Sequence, residues 1–153
     1  MSLAMSREQR EAFLAGVHVG VISIPDGMNG PLTAPIWYGY EPGRELWVIT
    51  GASSRKGKLL RSGARVSLVA QNEAAPYQYV SVEGPVTAIE PVKDREVLRV
   101  LARRYLGKEG GDAYVAATAQ SYEHEPNVLV RIRPERWLTV DYAKVWGSLT
   151  AGN

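Results

Sequence analysis

Apolar and polar positions alternate with a period of two along most of this chain, the pattern of strands that bury one face. The alternation covers residues 17–24 (VHVGVISI), 32–41 (LTAPIWYGYE), 44–50 (RELWVIT), 64–71 (ARVSLVAQ), 77–90 (YQYVSVEGPVTAIE) and 127–142 (NVLVRIRPERWLTVDY). The turn-rich PDGMNGP closes the first strand, and Pro42-Gly43 reads as a hairpin between the second and third. Pro134 belongs at a bend or an edge, because proline has no N–H for a central ladder.

Helical periodicity interrupts the strands at four places. Ser6 is placed to cap a helix running to about Ala15, with Gln9 in the capping-box position. A short helix follows ITGASS, and Val97, Leu98, Leu101 and Tyr105 form one stripe within residues 94–105. Residues 113–120 predict a weaker helix of small residues. Six strands with short connections and a few inserted helices predict a mainly β, α+β fold, a small antiparallel barrel with peripheral helices. MSREQREAFL reads as a natural beginning from Met5, so residues 1–4 are expected to be a tag or disordered start. Residues 5–147 are expected to form one domain and 148–153 a tail.

Composition changes this picture mainly by exclusion. The 153 residues are 45% hydrophobic, enough for a core, and the net charge of +2 is too small to indicate a nucleic-acid or membrane surface. There is no cysteine, which removes disulfides, thiolate metal sites and a cysteine nucleophile. No apolar run reaches the length of a membrane span and no signal-peptide core is visible, so a cytoplasmic protein is expected. His18 sits among valines as a structural residue. His124, between Glu123 and Glu125, reads as part of a solvated charged loop. Neither stands in a recognisable catalytic context, and no G-x-S-x-G, P-loop or G-x-G-x-x-G is present.

One stretch carries candidate chemistry. In ITGASSRKGKLL a strand ends, Ser53 and Ser54 are placed to cap a helix, and Arg55, Lys56 and Lys58 follow in its first turns. Cations are unfavourable at that end of a helix unless an anion sits there. A phosphate seat and a merely solvated basic helix divide these residues evenly. The aromatics are nearly all polar-tipped, with four Trp and eight Tyr against one Phe. Alternation puts Tyr38 and Tyr40 on one face of their strand and Trp37 on the other. Such rings suit either a cleft for a planar ring system or a barrel core.

On these residues the chain resembles the pyridoxamine 5′-phosphate oxidase-like, FMN-binding split-barrel family. The resemblance runs from about Val17 to Asp141. It implies that Thr50, Arg55 and Lys56, supported by Ser54, hold a cofactor phosphate. It further implies that Gln78 reaches the cofactor ring and that Pro35, Ile36 and Trp37 border it. Tyr38, Tyr77 and Tyr79 become substrate-cleft candidates, and Trp146 a cap from a second subunit, since the family places its cofactor at a homodimer interface. The family's insertion for the vitamin phosphate is lacking, as is its late histidine: the end reads RIRPERW with none after it.

The implied cofactor is FMN or the 8-hydroxy-5-deazaflavin coenzyme, and the implied activity is hydride transfer to or from a small molecule other than pyridoxamine phosphate. No side chain need act as acid or base, and no metal, nucleic acid or membrane enters. A non-catalytic cofactor-binding or storage protein is the alternative reading, and a haem-binding relative a third.

Overall fold

A computed structural model of the protein describes residues 2–147. Eight antiparallel strands run β1 (Gly20–Asp26), β2 (Asn29–Ile36), β3 (Tyr38–Gly39), β4 (Leu46–Gly51), β5 (Arg65–Gln71), β6 (Gln78–Pro91), β7 (Asn127–Ile132) and β8 (Arg136–Asp141). They neighbour one another in the order β2-β1-β5-β6-β7-β4-β3, with β8 paired to β6. The 14-residue β6 is shared between two halves. Its first part lies between β5 and β8, and its second, past a register irregularity between Val86 and Ala88, pairs with β7. The sequence alternation becomes burial directly: on β4, Leu46 and Val48 point into the core and Thr50 is buried in line with them, while Trp47, Ile49 and Gly51 are less covered. Ile22, Ile24, Leu68, Val80 and Val130 meet them from the other strands.

The strand count is eight where the sequence pattern predicts six, and both extra strands arise from a break inside one predicted strand. Residues 32–41 divide at Trp37: β2 ends at Ile36 on β1, and β3 resumes at Tyr38 on β4. Residues 127–142 divide at Pro134, the proline the pattern places at a bend. The first break is where the barrel is split. Backbone groups there lack a strand partner, and buried ones must find another. Tyr105 supplies it, its hydroxyl accepting from the Tyr38 N–H (3.1 Å) and lying 2.7 Å from the His18 carbonyl.

Helix α1 (Arg7–Ala15) carries the full capping box of Ser6 and Gln9. Residues 17–19 precede β1, and the His18 ring stacks on Phe13 at 4.4 Å. The two helices expected over 94–105 and 113–120 join into α3 (Glu96–Ala117), broken at Gly107 by a φ of 77°, before α4 (Ala119–His124). A 3-10 turn, Tyr142–Val145, follows β8. At the start of the chain, the Leu3 carbonyl accepts from the Asp141 N–H and the Ala4 carbonyl from Lys144 Nζ. Met1 and the tail expected over 148–153 lie outside the described residues. No helix among those described is long and apolar enough to cross a membrane.

Candidate functional site

The split between β2 and β3 opens a cleft of about 540 Å³, closed on its far side by α3 and α4. Pro35, Ile36 and Trp37 form one wall, Ile49, Thr50 and Gly51 from the end of β4 the floor, and Ser54 and Lys56 the rim. Trp37 is fixed by packing: its ring stacks on Tyr105 at 5.0 Å with planes 6° apart, and Tyr114 meets it at 5.2 Å. Leu98 of α3 packs on the same side. The wall is thus rigid, aromatic and held by α3.

Polar groups gather at the β4 end. Helix α2 (Arg55–Leu59) is capped by Ser54, whose Oγ accepts from the Gly57 N–H (3.0 Å). The same hydroxyl donates to the Gly51 carbonyl at 2.7 Å, which obliges Thr50 Oγ1, 3.2 Å away, to be the donor between the two hydroxyls. Ser54 therefore braces the turn and has little capacity left. Gly57 lets α2 seat this closely, since any Cβ there would lie 2.1 Å from the Gly51 carbonyl oxygen. Ser53 does not cap α2; its hydroxyl donates to Glu125 Oε1 at 3.1 Å.

The two adjacent cations part company. Arg55 turns away from the cleft and pairs with Asp26 of β1 at 2.7 Å. Lys56 lines the cleft, and no carboxylate or other acceptor meets its ammonium among the described residues. Neighbouring positions on a helix point about 100° apart, which is the reason for the divergence.

Other expected site residues lie elsewhere. Tyr38 is fully buried in the core and donates to the Leu14 carbonyl at 2.7 Å, so the structure removes it from the substrate cleft. Burial holds its hydroxyl ionisation far above the ordinary tyrosine range. Gln78 lies outside the cleft at the start of β6, where Asn72 clasps it: the Asn72 amide donates to its Oε1 (3.0 Å) and accepts from its backbone N–H (2.8 Å). Tyr77 is exposed beside it, with its carbonyl taking the Tyr142 N–H. Tyr79 opposes Val140 on β8, and Trp146 follows the 3-10 turn that begins at Tyr142. Tyr38 and Arg55 apart, the expected residues form two groups, one in the cleft and one at the β6–β8 end.

The cleft also contains residues that the sequence did not single out. Arg95 reaches across from the start of α3, lies 4.9 Å from the Tyr122 ring, and donates to Thr118 Oγ1 (2.7 Å) and the Val115 carbonyl. Its Nε is buried without a partner. Glu125 brings a carboxylate to the rim beside Gly51. Both depend on how α3 and α4 fold back on the sheet, and no local pattern marks them.

The protein-family model for pyridoxamine 5′-phosphate oxidase matches residues 6–141. The chain belongs to this family. A comparison with curated protein sequences finds no match. Among solved structures this pyridoxamine 5′-phosphate oxidase-family chain is similar to the conserved hypothetical protein Rv2991 from Mycobacterium tuberculosis. The two are 25% identical over 94% of this chain and 89% of the other, with a TM-score of 0.69. A structure described as an F420 reductase is 18% identical, covering 84% and 94%, at a TM-score of 0.65. An FAD-binding protein from Mesorhizobium loti is also 18% identical, covering 89% and 94%, at 0.60. These likenesses support the antiparallel split barrel expected from the sequence, with eight strands in place of six.

Proposed function

We propose that this cleft holds FMN or the 8-hydroxy-5-deazaflavin coenzyme, and that the protein is an oxidoreductase acting on a small molecule other than pyridoxamine phosphate. The observation that carries the reading is Lys56, an ammonium without an acceptor among the described residues, on the rim of a cleft whose opposite wall is the fixed ring of Trp37. A phosphate on Lys56 gains charge-assisted hydrogen bonds. Thr50 can join by turning its hydroxyl proton from Ser54 to the phosphate. When bound, either cofactor supplies hydride transfer. The chain's own part is to anchor the phosphate, keep Trp37 and Ile36 beside the ring, and keep water from the apolar side formed by Leu98 and Leu101.

Family membership supports a homodimer with the cofactor between subunits. The two groups of expected residues fit that arrangement. Gln78, Tyr77, Tyr79 and Trp146 lie away from their own chain's cleft, and a second copy would bring its set to it. A register row also leads across the outer sheet face to the cleft: Leu138 of β8, Ser81, Val69, Val21 and Pro35. Leu138, at its far end, is 62% exposed. A haem site has less support, because neither His18 nor His124 lines the cleft.

Fluorescence titration of the protein with FMN and, in parallel, with the deazaflavin tests the reading. At least one is expected to bind tightly. Lys56→Ala should weaken it about tenfold or more, the size of one lost charged hydrogen bond. Arg55→Ala should cost less, since that guanidinium is already held by Asp26. Unchanged affinity in Lys56→Ala sinks the phosphate assignment, and failure of both cofactors to bind sinks the function. Reduction and reoxidation of the bound cofactor by an added acceptor separates an enzyme from a storage protein.

A further inference from the structure

A second and larger cleft, about 830 Å³, lies at the opposite end of β4 and shares no lining residue with the first. Five arginines and four glutamates line it, between the start of α1, the β3–β4 hairpin and the β7–β8 connection. Almost all of this charge is internally matched. Arg7 pairs with Glu11 (3.4 Å), Arg44 with Glu41 (3.3 Å) and Arg133 with Glu135 (3.1 Å). Arg131 pairs with Glu90 outside the lining, and Glu45 accepts from the Thr87 hydroxyl.

Among the described residues Arg10 is the one cation of the lining without a carboxylate partner, as Glu45 is the one carboxylate without a cation. The guanidinium carbon of Arg10 lies over the Trp137 ring, 4.4 Å from the centre. An attraction of the charge to the ring does not use up the guanidinium's N–H donors. No carboxylate or other acceptor meets them among the described residues, and Nε is buried without a partner. Such a cation gains more from an incoming anion than one already paired.

Two indoles line the same cleft and both are held in place. Trp47 lies flat on the backbone of Gly39, where a Cβ would fall 2.1 Å from its Cε2 atom. Trp137 is held between Arg10 and the edge of Tyr40, whose ring lies 6.4 Å away at 65°. Half-buried, fixed rings beside a cation with free donors make a site for a flat anion. We propose that this cleft binds a planar aromatic monoanion of the aryl carboxylate class, its carboxylate on Arg10 and its ring against Trp47. The proposal stands apart from the phosphate seat, since the two clefts share no lining residue.

Calorimetric titration with 2-naphthoate tests it, with 2-naphthamide as the uncharged analogue. Naphthoate is expected to bind saturably at one site per chain. The amide, and naphthoate with Arg10→Gln, should each bind about tenfold or more weakly, the scale of a lost charged hydrogen bond. Trp47→Phe retains Arg10 and the fold but shrinks the ring surface, and should weaken naphthoate severalfold. Thermal melts of each variant confirm that the binding-deficient protein is folded. The absence of saturable binding overturns the proposal, as does equal affinity for acid and amide, or undiminished affinity in folded Arg10→Gln. Loss of naphthoate binding in Lys56→Ala also overturns it, because the probe would then sit in the first cleft.

Discussion

Arg55 and Lys56 are chemically near-equivalent in the sequence, and one step of helix gives them different work. Arg55 ties α2 to the β1–β2 hairpin through Asp26, while Lys56 faces the cleft with its charge unmatched among the described residues. The charge was legible from ITGASSRKGKLL; its division was not, because direction depends on helix phase and on where Asp26 arrives. Tyr38 shows the same limit. The alternation of residues 37–40 correctly separates it from Trp37, but which face is core is a property of the closed sheet. Its hydroxyl donates to a buried carbonyl, so Tyr38→Phe leaves the Leu14 acceptor unpaired and is expected to lower stability by about 1–3 kcal/mol in urea unfolding. Cofactor affinity should be unchanged. A folded Tyr38→Phe protein with weakened binding would return Tyr38 to the cleft.

Among the elements, α3 decides the shape of the site. Its two parts meet at Gly107 and are clasped by Asp112, which takes hydrogen bonds from Arg103 (2.7 and 2.9 Å) and Arg99 (2.8 Å). Those bonds, Arg103's first and then Arg99's, depress the Asp112 carboxyl from its ordinary 3.8 to about 2. A depressed acid stabilises the fold above its unfolded pKa and loses that contribution as pH falls through the folded one. The clasp is therefore complete above about pH 4 and lost towards pH 2. Asp112→Asn is expected to melt lower at pH 7 and to show a shallower fall in melting temperature between pH 4 and 2. Parallel melting curves for the two proteins would refute the clasp. The element types were largely visible in the sequence, down to the Ser6–Gln9 capping box. The two strand breaks differ in kind. Pro134 marks one by its chemistry, whereas nothing local to Trp37 announces that the sheet divides there.

At the scale of the whole molecule, Gln78 and its tyrosine neighbours make sense of the proposed dimer or remain remote from the cleft. Leu138→Glu places a charge on the exposed end of the row that leads to Pro35. It is expected to give a folded monomer by light scattering, with cofactor binding weakened at least tenfold. A persisting dimer would move the interface to another face. The sequence by itself determined the antiparallel β class, the positions of most strands and helices, the absence of cysteine chemistry and the concentration of candidate chemistry near Thr50 and Lys56. These depend on periodicity, capping and residue type, which are local. Tertiary structure alone decided the split at Trp37, the burial of Tyr38, the entry of Arg95 and Glu125 into the cleft, and the charge of Arg10 in the second one, unmatched among the described residues. Each of these depends on which distant segments meet, and long-range contact is not written in the order of neighbours along the chain.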